Sequence, residues 1–195
     1  MACSWWRASS IYWYPLQSLT YRGWLLTVGS MWGTMATDPR NSFQKHMFWL
    51  AFQVSQAAFL APMYFFGPAV LGRAALYTVG TVGALSYVSA TAKTDQYLYI
   101  GGPLLAGLCV VVLGSLAPMV LPVTAVRTLA VSEMVSLYGG LGIFGGFVLY
   151  DTQKVMHNAR FGRRDPAAES IGLELDAINI FVRLVSILAG NNRKK

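Results

Sequence analysis

Two aspartates stand out because of what surrounds them. Seventeen residues without a formal charge, Met134 to Tyr150, run directly into Asp151 in the stretch LYDTQKV. Further on, IGLELDAINIFVRLVSILAG is an otherwise apolar segment that carries Glu174, Asp176, Asn179 and Arg183. At about 100° per helical residue, Asp176, Asn179, Arg183 and Ser186 fall within about 80° of one another, with Glu174 roughly opposite. Ionisable side chains at membrane depth are costly and usually mark an ion or proton path.

Each feature also has a plainer reading. Asp151 reads equally as an interfacial carboxylate that ends a helix. The stripe reads as the wet face of a helix lying on the membrane surface, and Arg183 as a snorkelling cation. Surface helices usually carry a Lys/Arg-rich polar face, whereas this stripe is narrow and mixed in sign, which favours a helix inside a bundle. Asp151 and Asp176 are 25 residues apart across one polar loop. Contact between them is geometrically allowed, but nothing in the spacing requires it.

The elements that must hold these residues are membrane helices. Hydrophobic residues make up 55% of the 195 and charged ones only 12%, about half the usual charged share. Four runs lack any charge: Met47–Gly72, Ala74–Ala92, Gln96–Val126 and Met134–Tyr150, of 26, 19, 31 and 17 residues. A spanning helix needs about 20 apolar residues. The pattern predicts an all-α polytopic membrane protein with about six membrane helices. These are Gly23–Thr37, Met47–Phe66, Ala74–Ala92, Tyr97–Leu121, Val131–Tyr150 and Ile171–Ala189. FGPAVLGR reads as a tight connection, Pro118 and Pro122 as the end of the fourth helix, and DTQKVMHNARFGRRDPAAES as a polar loop. Gly142 and Gly146 form a GxxxG pair, and Gly80 and Gly83 give the third helix a similar small-residue face for close packing.

Charge bias leaves the orientation open. With six crossings the loop and tail cations divide seven to seven, and with a non-crossing sixth helix they divide ten to four. The net charge of +7 follows this topology. No basic cluster interleaved with aromatics suggests nucleic acid. The expected partner is the lipid bilayer. The acid-free first 37 residues are compatible with mitochondrial targeting, with an interfacial aromatic segment, or with a truncated or alternative N-terminus. Cys3 and Cys109 offer no disulfide framework, and His46 and His157 are the only histidines. With no GxSG-type nucleophile and no metal-ligand cluster, an enzyme is not expected, and neither is a bound cofactor.

Several stretches resemble the transmembrane Bax-inhibitor-motif family, and most closely its mitochondrial branch. KHMFWL, RAALYTVGTVGALS, LYGGLGIF, VLYDTQKV, LDAINIFVR and the terminal NNRKK occur in the family's order over roughly residues 45 to 195. The resemblance implies a helical bundle with its last helix near the centre. It also implies a buried pair of aspartates, which here are Asp151 and Asp176, with Tyr150, Asn179 and Arg183 as supporting residues. A pH-sensitive calcium channel or calcium/proton exchanger follows from the resemblance, with Ca²⁺ as the transported ion, transiently held by the pair. So do a place in the mitochondrial inner membrane, mitochondrial membrane proteins as partners, cristae organisation and apoptosis regulation. Two carboxylates held close in a low dielectric do not both ionise cheaply, so a proton and Ca²⁺ would compete for one oxygen-lined site. Asn179 would add a carbonyl oxygen. Arg183 would steady Asp176 or repel the ion.

Residues 1 to 44 depart from the family. The expectation is a divergent N-terminal segment with one short membrane helix, the family's first helix missing, followed by a Bax-inhibitor-like domain over 45 to 195. YRGWLLTVGSMWG is loosely similar to the second family helix. In the family an arginine near the end of that helix latches the YDTQ aspartate. The nearest counterpart here is Arg40 and the next is Lys45. The alternative to ion transport is a scaffold that maintains cristae and retains cytochrome c.

Overall fold

The computed structural model describes residues 25–38, 41–93, 95–120, 126–162 and 165–192. It forms two compact units, Met1–Met63 and Tyr64–Lys195. In the first unit, helix α1 (25–36) is followed by α2 (Ser42–Leu60) and a 3₁₀ segment, Ala61–Phe66, begins directly after α2. Gly33 lies against the Phe48 ring, where a side chain would collide. Lys45 is 3% exposed, and its Nζ donates to the Thr37 carbonyl at 3.0 Å. Arg40 lies outside the described residues.

In the second unit, α3 (Pro68–Thr91) starts at its proline. Pro68 occupies the first helical position, where its missing N–H costs nothing. Gly67 takes φ +87°, a conformation a side chain would strain. The stretch PAVLGR, expected as a connection, is therefore the opening of the helix. A 3₁₀ turn, Leu98–Ile100, leads into α4 (Gly101–Val120). Pro118 lies inside α4 rather than ending it, and Pro122 lies outside the described residues.

The largest correction concerns the predicted fifth helix. It comprises α5 (Val126–Met134), a π-helical turn (Val135–Gly139) and α6 (Gly140–Arg160). The helix runs nine residues beyond Asp151, through DTQKVMHNAR. His157 and Arg160 stand in its last turn, where cations complement the helix dipole. The expected twenty-residue polar loop shrinks to the segment 161–165. Helix α7 (Pro166–Asn192) opens at once. Asp165 caps it through Oδ1, which accepts from the Ala168 N–H at 3.3 Å. Asn158 donates to Glu169 at 2.9 Å, tying the two helix ends together.

Helix α7 packs on both α3 and α6. From Ala167 to Ala189 none of its residues is exposed. One apolar cluster joins Val70 and Ala74 of α3 to Val185 of α7. Another joins Phe144 and Val148 of α6 to Ile180 of α7. By contrast, α4 shows Leu105, Val110 and Leu113 on its outside, at 58%, 56% and 68% exposure, as a lipid-facing helix does. Pro68–Thr91, Leu98–Leu116 and Val131–Arg160 are long and apolar enough to cross a membrane. The surrounded position of α7 answers the question its polar stripe raised: the helix lies within the bundle.

The expected GxxxG pair divides. Gly146 receives the Leu104 side chain of α4, whereas Gly142, Gly80 and Gly83 face open space.

Candidate functional site

Each residue of the stretch Leu149–Gln153 meets a different part of the second unit. The Leu149 carbonyl accepts from Ser89 Oγ of α3 at 2.6 Å. The Tyr150 ring lies on Gly101 at the start of α4, where a side chain would collide. Asp151 sets its carboxyl against Gly172 of α7. Thr152 donates to Ser86 Oγ of α3 at 3.3 Å. Gln153 is 5% exposed and spans the α3–α4 turn. Its amide donates to the Lys93 carbonyl at 3.0 Å, and its Oε1 accepts from the Tyr97 N–H at 2.6 Å. Polar residues that look like a loop in sequence thus remain helical because the fold satisfies them one by one.

Gly172 lies one turn before Asp176 on α7, so Asp151 approaches the face that carries Asp176. Asp151 thus faces the turn of α7 that leads to Asp176. Asp176 is 6% exposed, and its Oδ2 is buried without a hydrogen-bond partner. The fold places Asp151 on α6 against Gly172, one turn from Asp176 on α7, and Asp151 sits mid-helix rather than at a helix end. Lys154 stands one turn along α6 from Asp151, and its Nζ lies 5.9 Å from the Tyr150 ring centre.

The remaining stripe residues do not join the pair. Asn179 donates through Nδ2 to the Leu175 carbonyl of its own helix at 2.9 Å. Ser186 does the same toward Val182 at 2.9 Å. Arg183 does not steady Asp176. Its guanidinium donates to the Ser136 carbonyl of the π-turn, lies 5.1 Å from the Phe144 ring centre, and rests against Gly140. Ser136 in turn shares a 2.6 Å hydrogen bond with Ser115 of α4.

Sequence reasoning passed over Gly172 and Gln153, and it read Gly140 only as one of the small packing residues beside the GxxxG pair, not as the seat of a charged head. The signal for Gln153 was its place in the motif beside Asp151. The two glycines carried none, because a glycine that admits a neighbour's charged head looks like any other glycine in an apolar helix.

A family model described as "Inhibitor of apoptosis-promoting Bax1" matches residues 1–193. The chain belongs to this family. Bax inhibitor proteins are non-enzymatic, multi-pass membrane proteins, and the apolar helices described above are those of such a protein. The chain is 41% identical to growth hormone-inducible transmembrane protein of Rattus norvegicus over 77% of its length and 45% of the relative. It is 28% identical to Bax inhibitor 1 of Drosophila melanogaster over 81% of its length and 64% of the relative. To Bax inhibitor 1 of Homo sapiens it is 34% identical over 65% of its length and 49% of the relative. The chain spans about half the length of most curated relatives it matches. No solved structure matches it significantly.

Proposed function

We propose that this Bax inhibitor family member is a pH-sensitive calcium channel or calcium/proton exchanger of the mitochondrial inner membrane, and that Asp151 and Asp176 form its ion site. One observation carries the reading. The Asp151 carboxyl enters the gap at Gly172, one turn from a buried Asp176 oxygen that has no protein partner. A buried carboxylate oxygen left without a donor is expensive, and a proton or a cation relieves it. Among the described residues no cluster of three or more His, Cys, Asp or Glu could hold a resident metal. Ca²⁺ prefers 6–8 oxygen ligands. An ion met by two carboxyls therefore keeps much of its water and leaves readily, which suits cargo.

Proton and Ca²⁺ would compete for the same oxygens, so acidification of the loading side would slow Ca²⁺ flux. Residence in the inner membrane, six crossings, cristae organisation and apoptosis regulation belong to this proposal through the resemblance to the mitochondrial branch. The test is Ca²⁺ flux through purified chain in proteoliposomes at two pH values. Asp151→Asn and Asp176→Asn should each reduce flux to the level of protein-free vesicles. Unchanged flux in both variants would overturn the ion-site reading and return a non-transporting scaffold to the front.

A further inference from the structure

Helices α6 and α7 run antiparallel, and their seam has a second charged end. Gly172 of α7 receives Asp151 of α6, and Gly140 of α6 receives Arg183 of α7. Between the two gaps lies the apolar layer of Phe144, Val148 and Ile180, with Val148 and Ile180 fully buried. Asp176 and Arg183 are two turns apart on one face of α7, about 10 Å along the helix axis.

Arg183 is seated without a counter-ion. Among the described residues its partners are a main-chain carbonyl and an aromatic face, and its Nε is buried without a partner. Neither partner carries a net negative charge, so the positive charge of the guanidinium is not cancelled. In a medium of low dielectric that charge raises the energy of any cation near it. The π-turn at Val135–Gly139 presents the Ser136 carbonyl to the guanidinium, and such turns often occur at functional sites.

We propose that Arg183 is an electrostatic plug that closes the far side of the Asp151–Asp176 site to cations and weighs most heavily on divalent ones. The proposal rests on the ion-site reading and names a residue that limits flux through that site. A fixed positive charge opposes an ion in proportion to the ion's own charge. Removing the plug therefore speeds Ca²⁺ by about the square of the factor for Na⁺, whereas a loosened, leaky bundle admits both alike.

The experiment uses the full chain in proteoliposomes, with Ca²⁺ and Na⁺ flux measured separately. Arg183→Met keeps much of the side chain's bulk and removes its charge. It should raise Ca²⁺ flux at least about tenfold and Na⁺ flux about threefold. Arg183→Lys keeps the charge and should stay within about twofold of the wild type. Arg183→Gln is the second neutral variant should the methionine protein fold poorly. Equal gains for the two ions in the neutral variants would overturn the plug, as would a gain in Arg183→Lys matching that in Arg183→Met. Asp151→Asn separates the two readings. If it abolishes wild-type flux while Arg183→Met leaves Ca²⁺ flux unchanged, the plug fails and the carboxylate site stands. If it has no effect in either background, the site reading fails and the plug with it.

Discussion

At one end of the α6–α7 seam an acid of α6 enters a glycine gap in α7. At the other, a base of α7 enters a glycine gap in α6. The construction is the same and the surroundings are not. The acidic end has a second carboxyl one turn along α7 and leaves one of its oxygens buried and unpaired. The basic end surrounds its cation with neutral partners, a carbonyl and a ring. A charge docked beside its like stays responsive to protons and ions, whereas a charge docked on neutral groups is fixed and acts on whatever comes near.

The strongest way to break this comparison is to remove what separates the ends. Phe144→Ala empties part of the apolar layer and takes away the ring under Arg183. It should destabilise the chain by about 3–5 kcal/mol, read as unfolding in detergent micelles.

Filling the gaps tests the symmetry directly. Gly172→Leu and Gly140→Leu should each cost about 1–3 kcal/mol through overpacking. Only Gly172→Leu should also cut Ca²⁺ flux, because it drives Asp151 away from Asp176. A Gly140→Leu chain as stable as the wild type would show that Arg183 is not seated as described.

Gln153→Leu removes the clasp on the α3–α4 turn and leaves the Lys93 carbonyl and the Tyr97 N–H without it. A loss of about 1–3 kcal/mol is expected, with amide exchange rising first at Tyr97. The smallest effect belongs to the pair of His157 and Asp95, which meet at 2.9 Å but are 35% and 40% exposed. His157→Ala should change stability by less than about 1 kcal/mol. A larger loss would place the anchor of that turn at His157 rather than Gln153.

The charge-free runs made the helical class legible, and the narrow, mixed-sign stripe of α7 made its place inside the bundle legible too. Asp176 was found from that stripe, and its tie to Asp151 came from resemblance rather than spacing. The continuation of α6 past Asp151 was hidden, because hydropathy cannot distinguish a polar loop from polar helical residues whose partners lie on other helices. Thr152 and Gln153 have such partners, on α3 and on the α3–α4 turn. The destination of Arg183 was hidden for the same reason. A helical wheel places it beside Asp176, but the Gly140 gap and the Ser136 carbonyl draw it the other way. The π-turn left no mark in the sequence at all.

The paired gaps also bear on how the seam can move. Asp151 and Gly140 are on one helix, Gly172 and Arg183 on the other, and about 16 Å of helix axis separates the two docking points on α6. Sliding α6 along α7 would carry the Asp151 carboxyl off Gly172 and the Arg183 guanidinium off Gly140 together. The two helices thus behave like a bolt with two pins: a shift along the seam withdraws both together. A slide along this seam that frees one charge is therefore felt at the other without any chemical link between them.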